Sequence, residues 1–367
     1  MTGALRKVWV ILCCIIFVIY LLSCLTPLIS PGSFSFISLF AIAFPYLFVA
    51  ALFCSLTFFF VKKSIAVIAV LFTFLAGFKN LHSTVAVNAG NWQMHKNDSA
   101  LRVMTWNTEE FITLTVFKNE LSDKRAQMIV AINTYKPDIL CVQELKNLEN
   151  SNMEVSIRKV MDTLGFTYHF FSNDETMTFN NYGLFATRGV GIFSRLPLLD
   201  TGRITTISRA KKANMIYADV LFNNRPVRIF TAHLLSFQLY GDTTANENIY
   251  KITYHRKRSV QYKIRETEIA HGREVAIIKN AVNKSPYPVI YCGDINATPA
   301  SYTYHTLKKD LQDAFLEKGS GLGSTFYKLN LRIDVCLAGN QLRVTQCTVP
   351  QLYLSDHFPV VTDLEWR

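Results

Sequence analysis

Three apolar runs open the chain, from Val8 to about Ile29, from Phe34 to Phe60 and from Ser64 to Phe78. A helix rises about 1.5 Å per residue and needs about 20 apolar residues to cross a hydrocarbon layer ~30 Å thick. The first two runs reach that length. The third, at 15 residues, covers only about 22 Å by the same rise, so it either crosses or re-enters. The first run is too long for a cleaved leader, and a second follows it directly. Two to three transmembrane helices (about 8–29, 34–60 and 64–78) are therefore expected in an anchor spanning residues 1–80, with a linker at 81–99.

From residue 100 the pattern changes to short β-rich runs between longer stretches of helical period. Leu101–Trp106, Ile139–Val142, Gly191–Phe193, Ile216–Phe222, Val227–Thr231, Val289–Cys292, Ile333–Ala338 and Val360–Asp363 read as strands. Asp123–Thr134, Ser151–Leu164 and Glu266–Asn283 read as helices, and 172–190 and 236–262 as loops. No internal repeat interrupts this. Strands and helices mixed through 100–367 predict one α/β domain of two packed sheets with helices outside.

Charge sharpens the division. Between Val8 and Val61 there is no Lys, Arg, Asp or Glu, which excludes a purely cytosolic globular chain. Arg6 and Lys7 precede the first run and Lys62 and Lys63 follow the second, so both flanks belong on the cytoplasmic side. A third crossing then puts the domain outside; a re-entrant third run would leave it inside. The net charge of +11 is misleading, because five of the 38 Lys and Arg precede Asn80 and leave 33 against 27 acids. That weakens an electrostatic case for nucleic acid. Four of the 8 cysteines lie in the apolar runs, Cys141 and Cys292 lie in strand-like text, and Cys336 and Cys347 flank a possible hairpin, paired or free. No Cys-x-x-Cys spacing suggests zinc.

The chemistry lies at strand ends. Asn107 follows Leu101–Trp106, Glu144 follows Ile139–Val142, and His233 follows Val227–Thr231. Asp294 and Asn296 follow Val289–Cys292; Asp334 lies in Arg-Ile-Asp, and Asp356-His357 precedes the last strand. An apolar strand ending in a carboxylate, amide or imidazole delivers that group to a shared crevice.

Thr105-Trp106-Asn107, Gln143-Glu144, Ala232-His233-Leu234, Gly293-Asp294-Ile295-Asn296, Arg332-Ile333-Asp334 and Ser355-Asp356-His357-Phe358-Pro359-Val360 together resemble the endonuclease/exonuclease/phosphatase superfamily of deoxyribonuclease-like phosphoesterases, in the family's order. The resemblance implies a four-layer αββα sandwich and a Mg²⁺ or Mn²⁺ site at one end, held by Glu144 with Asn107 and Asp356. It implies that Asp294 orients or deprotonates the attacking water and that Asn296 donates to a phosphoryl oxygen. His357, fixed by Asp334, and His233 would then flank the scissile group. Membrane-anchored bacterial members share this layout, which points to the bacterial cytoplasmic membrane.

The substrate implied is a phosphodiester. Nucleic acid is the default, and a lipid headgroup is the rival that the anchor favours. A non-catalytic binding domain on the same fold is the alternative of another class. Three features stay open. The run His255-Arg256-Lys257-Arg258, near Tyr254 and Tyr262, either binds phosphates or a lipid surface or is a solvated face. Arg332 either meets substrate or pairs with an acid, and Gly319–Gly323 reads as a loop near the site. For His233, Asp174 and Glu175 are the candidate acidic partners.

Overall fold

The computed structural model describes residues 3–34, 36–111, 119–149, 157–179, 184–206, 215–237 and 260–367. Three helices come first, α1 (Gly3–Cys24), α2 (Ile37–Thr57) and α3 (Lys63–Thr84). All three, with their flanking turns, are long and apolar enough to cross a membrane. The third does so because its helix continues six residues past Phe78, through Lys79, Asn80 and Leu81 to Thr84. Those polar residues hid its end. Asn80 Nδ2 donates to the Ser23 carbonyl at 2.8 Å, so the amide nitrogen is bonded inside the bundle. Gly77 permits the closest approach: a Cβ there would stand 2.2 Å from Tyr20 Oη.

In chain order the first strands are β1 (Ala86–Val87), β2 (Leu101–Glu110), β3 (Ile139–Glu149), β4 (Tyr168–Phe171) and β5 (Glu175–Phe179). Then come β6 (Leu184–Ser194), β7 (Leu198–Ile204), β8 (Met215–Phe222), β9 (Arg225–His233) and β10 (Val289–Asp294). The last are β11 (Leu311–Asp313), β12 (Ser320–Gly321), β13 (Asp334–Gly339), β14 (Leu342–Thr348) and β15 (Val360–Trp366). The helices among them are α4 (Asn119–Tyr135), α5 (Ile157–Thr163), α6 (Val260–Asn283), α7 (Tyr302–Lys308) and α8 (Ala314–Lys318).

One six-stranded sheet runs β11-β13-β10-β9-β8-β7 and a seven-stranded sheet runs β14-β15-β2-β3-β6-β4, with β5 also on β6. Period-2 alternation builds the layers. Along β2, Leu101 and Val103 enter the core between the sheets, while Met104 and Trp106 pack outward against Met128 and Ile132 of α4. Along β10, Ile290 and Cys292 point inward, and Val289 and Tyr291 meet Val275, Ile278 and Val282 of α6. The result is the αββα sandwich. Cys336 and Cys347 are both free and buried in the inner core.

Two expectations need correction. Residues 172–190 are not a loop throughout, since 175–179 and 184–194 form antiparallel β5 and β6. The helix expected over Ser151–Leu164 is described only as Ile157–Thr163, the part before it lying outside the described residues. Residues 238–259, including Tyr254 and His255–Arg258, also lie outside them.

The sandwich is bonded directly to the bundle. Ser83 Oγ donates to the Pro299 carbonyl at 2.9 Å and Thr26 Oγ1 to the Ala300 carbonyl at 2.5 Å. Glu268 of α6 accepts from the Ser38 backbone N–H at 3.2 Å. The domain thus sits at the bundle end formed by the α1–α2 connection and the end of α3. Arg6, Lys7, Lys62 and Lys63 flank the opposite ends of those helices.

Candidate active site

The inward rows that fill the core run on past it into polar residues. On β2 the row Leu101, Val103, Thr105 ends at Asn107; on β10 the row Ile290, Cys292 ends at Asp294. By the same count His233 ends the row on β9, and Asp334 begins that on β13. β2 is parallel to β3 and β9 to β10, while β13 is antiparallel to β10, so all these ends meet at one end of the sandwich. Beneath them, Gln143 Nε2 ties the two sheets together, donating to Thr105 Oγ1 at 3.1 Å and Thr231 Oγ1 at 2.9 Å.

Local backbone aims two further groups. The β3–β6 ladder shifts register between Val142 and Leu145, and Glu144 within the shift adopts φ +53°. A bulge of this kind re-aims a side chain, and here it turns the carboxylate toward the neighbouring strand ends. Gly293 has φ +148°, and a Cβ on it would lie 2.1 Å from the Ala232 carbonyl oxygen, so only glycine lets β9 and β10 close up beside Asp294.

The side chains form one connected cluster. Asn107 Nδ2 lies 3.1 Å from Asp294 Oδ2 and 3.4 Å from Glu144 Oε1. His233 Nε2 is 3.6 Å from both Glu144 Oε1 and Asp294 Oδ2. His357 Nε2 is 3.7 Å from Asp294 Oδ2, and its Nδ1 meets Asp334 Oδ2 at 2.8 Å. The His357 backbone is set by Trp106, whose Nε1 donates to its carbonyl at 2.9 Å. Asp356 is farther out, with Oδ2 on Lys328 Nζ at 3.0 Å and Oδ1 4.0 Å from His357 Nε2. Asn296 closes an Asx turn, its N–H on Asp294 Oδ1 at 2.8 Å, and its Nδ2 donates to the Leu234 carbonyl.

Crowding of charge perturbs the acids and bases. Burial, reinforced by Asp334 and opposed by His357 and His233, raises the Asp294 carboxyl to about 6. Burial alone would depress His357, but the Asp334 and Asp294 carboxylates outweigh it and raise the imidazole to about 10. Burial also works to raise Glu144, yet His233 and Arg188 hold its carboxyl below the usual range.

Three residues without a motif enter here. Arg188 Nη2 binds Glu144 Oε2 at 2.6 Å, joining β6 to the cluster. Glu109 Oε2 accepts from the Asp356 N–H at 3.2 Å. Thr231 is the far anchor of Gln143. Only the strand register could have linked Arg188 to Glu144, and the segment around it read as loop. Arg332, by contrast, pairs with an acid: Nη1 meets Asp313 Oδ2 at 2.6 Å and Nη2 donates to the Ser83 carbonyl. Gly319–Gly323 packs on Phe315, and its Ser320–Gly321 pairs with β1. Glu144 and Asp294 are the carboxylates within 4.0 Å of His233 among the described residues.

The donor set suits a hard divalent cation. His233 Nε2 and Asp334 Oδ1 are buried without a partner, beside an amide and two carboxylates aimed at a common point. Asp294, Asp334 and His357 also offer ligand atoms within 4.8 Å of one another, but the 2.8 Å Asp334–His357 bond commits that pair to each other. Hard cations take oxygen ligands, which favours the Glu144 side; Asn107 turns Nδ2 to the carboxylates and Oδ1 to the Glu109 N–H at 3.2 Å, so it would join as a ligand only with its amide reversed.

The profile of the Endonuclease/Exonuclease/phosphatase family matches residues 104–357, and that of a domain of unknown function matches residues 6–84. No curated protein matches the chain. Among solved structures, the human Nocturnin catalytic domain with bound sulfate is 19% identical, with a TM-score of 0.51 over 74% of this chain and 97% of that one. An endonuclease/exonuclease/phosphatase family protein from Leptotrichia buccalis C-1013-b is 14% identical, with a TM-score of 0.51 over 72% of this chain and 100% of its own. An endonuclease/exonuclease/phosphatase from Beutenbergia cavernae DSM 12333 is 16% identical, with a TM-score of 0.50 over 73% of this chain and 72% of that one. At such identities the likeness is one of fold. The profile match, spanning more than half of the residues, goes further: the chain belongs to the endonuclease/exonuclease/phosphatase family.

Proposed function

We propose that this protein is a membrane-anchored phosphodiesterase, dependent on Mg²⁺ or Mn²⁺, that hydrolyses nucleic acid by in-line attack of water on phosphorus. The observation that carries the reading is the cluster itself, in which Asn107, Glu144, His233, Asp294, Asp334 and His357 are linked by contacts of 2.8–3.7 Å.

Glu144 and Asn107, with Asp356 nearby, are the residues to hold the cation. When bound it neutralises charge on the phosphoryl and leaving oxygens. Asp294 is poised to orient the attacking water and accept its proton, because a carboxyl raised to about 6 is a competent base near neutral pH. Asp334 fixes the Nδ1–H of His357, so Nε2–H faces the site, and an imidazole raised to about 10 stays cationic there. His357 then stabilises a phosphoryl oxygen, and His233 supports the opposite side. Asn296, held by its turn, adds an amide donor.

The test is hydrolysis of bis-p-nitrophenyl phosphate by the full chain in detergent, with Mg²⁺ or with chelator, for wild type and Asp294→Ala. Wild-type activity that needs metal and disappears in the variant supports the reading. No activity in either would favour a binding domain.

A lipid-headgroup phosphodiester is the second reading, favoured by one observation. Pro299 lies only three positions after Asn296, and its carbonyl is held by Ser83 at the end of α3. That is at most about 11 Å of extended chain, so the site lies close to the bilayer surface. Cleavage of sphingomyelin or phosphoinositide with plasmid DNA untouched would select it. With Arg6, Lys7, Lys62 and Lys63 at the far end of the bundle, we place the domain outside the cytoplasm. Protease access to it in intact spheroplasts tests that side.

A further inference from the structure

A cavity of about 640 Å³ opens where the bundle meets the sandwich, away from the catalytic cluster. Its walls include Pro27 just after α1, Lys79 of α3, Lys279 of α6, His305 and Lys308 of α7, and Lys309. Four lysines face it against one carboxylate, Asp310. Lys279 Nζ donates to the Lys309 carbonyl and lies 3.8 Å from Asp310 Oδ2. No carboxylate pairs with Lys79, Lys308 or Lys309 among the described residues.

Burial dominates the titration of the groups around it. His305 Nε2 is buried with no partner. Burial first, then Lys79 and Lys308, lower His305 to about 4, so the ring is neutral. Burial also lowers Lys279, with Lys309 adding to it and Asp310 opposing. Concentrated like charge in a concave site attracts an anion rich in acceptor oxygens.

The location says which anion. Leu28, Leu75 and Phe78 are 66%, 76% and 66% exposed, the open apolar surface of helices that cross a membrane. Leu75, Phe78 and Lys79 follow the i, i+3, i+4 spacing of one helix face, so the ammonium sits one turn beyond the lipid-facing stripe. Basic groups at that level meet phosphate headgroups. We propose that this cavity binds the headgroup of an anionic phospholipid from the leaflet on the domain's side, its acyl chains lying along Leu75 and Phe78. The occupant is a structural lipid, whatever the catalytic end hydrolyses. It also lies beside α7, the helix that directly follows the Asp294–Ser301 segment.

The experiment uses the full chain in dodecyl maltoside, titrated with dioleoylphosphatidylglycerol, dioleoylphosphatidylcholine or inorganic phosphate. Native mass spectrometry reads retained lipid, and a melting curve reads stabilisation. Wild type is expected to retain the glycerol lipid about tenfold or more over the choline lipid and to melt higher with it, while inorganic phosphate does little. Lys79→Gln/Lys308→Gln/Lys309→Gln should bring that preference down to the choline level, and Lys62→Gln/Lys63→Gln, at the other end of the bundle, should keep it. If the triple variant fails to fold, 0.5 M salt on wild type should remove the preference by screening (Debye length roughly 4 Å). Equal retention of both lipids, retention surviving in the triple variant or in high salt, dependence on Lys62 and Lys63 instead, or full stabilisation by phosphate alone would each overturn the proposal.

Discussion

The sandwich end and the anchor junction both bury charge, yet they handle it differently. At the junction Arg332 is matched by Asp313 at 2.6 Å and caps the Ser83 carbonyl, so that buried cation is neutralised in place. At the catalytic end Glu144, Asp294 and Asp334 share a small space with His233, His357 and Arg188, and Asp294 and His357 move far from their ordinary pKa values. The first arrangement holds two parts of the molecule together. The second crowds like and unlike charge together, which on the proposed function a cation and a phosphate would relieve. Substitutions should therefore cost stability at one place and activity at the other.

The largest effect belongs to Asp294→Ala, which should lower phosphodiester hydrolysis by about 10³-fold or more while the circular dichroism spectrum is unchanged. Its isostere gives the sharper contrast. Because the Asp294 carboxyl is raised to about 6 in the folded chain, its contribution to stability is complete below its unfolded value and is lost as pH rises through about 6. In chelator at pH 8, Asp294→Asn should therefore melt at or above wild type. Arg332→Ala, in contrast, leaves Asp313 buried without its cation, held only by Tyr304 Oη and the Phe315 and Leu316 N–H groups, and should cost about 3 kcal/mol in a denaturant melt. If the asparagine variant melts well below wild type, the two regions are not of different kinds.

Next in size, His233→Ala should lower activity about 10²-fold with little change in melting temperature, since its Nε2 has no bonded partner to lose. Smallest is Glu268→Gln. Burial raises Glu268 to about 7, with the Ser38 N–H opposing. A raised carboxyl favours the fold at low pH and loses that advantage as pH climbs through about 7. Wild type should thus soften as pH rises from about 4.5 to about 7, and Glu268→Gln should flatten that slope in a melting series.

The catalytic end was largely legible because its residues lie at the ends of strongly apolar strands. Val289–Cys292 and Ile139–Val142 read as buried strands without ambiguity, and Asp294 and Glu144 follow directly. β7 and β14 carry exposed and polar positions on one face, and β4 is a short edge strand, so none of them stood out. The helix end at Lys79–Thr84 was hidden by polar residues that find partners only after packing, Asn80 Nδ2 on the Ser23 carbonyl and Ser83 Oγ on the Pro299 carbonyl. Arg188 and the lysine cavity were illegible for a different reason. Neither lies in a local pattern; Glu144 meets Arg188 through a bulged ladder, and Lys79 meets Lys309 only after the sandwich docks on the bundle.

Whether the strand ends converge on one cation is tested most directly by Mn²⁺ electron paramagnetic resonance on the full chain in detergent, comparing wild type, Glu144→Gln and Lys62→Gln. Bound Mn²⁺ in wild type and in Lys62→Gln, with binding weakened at least about tenfold in Glu144→Gln, is the expected result. Equal binding in all three, or none in wild type, would contradict it.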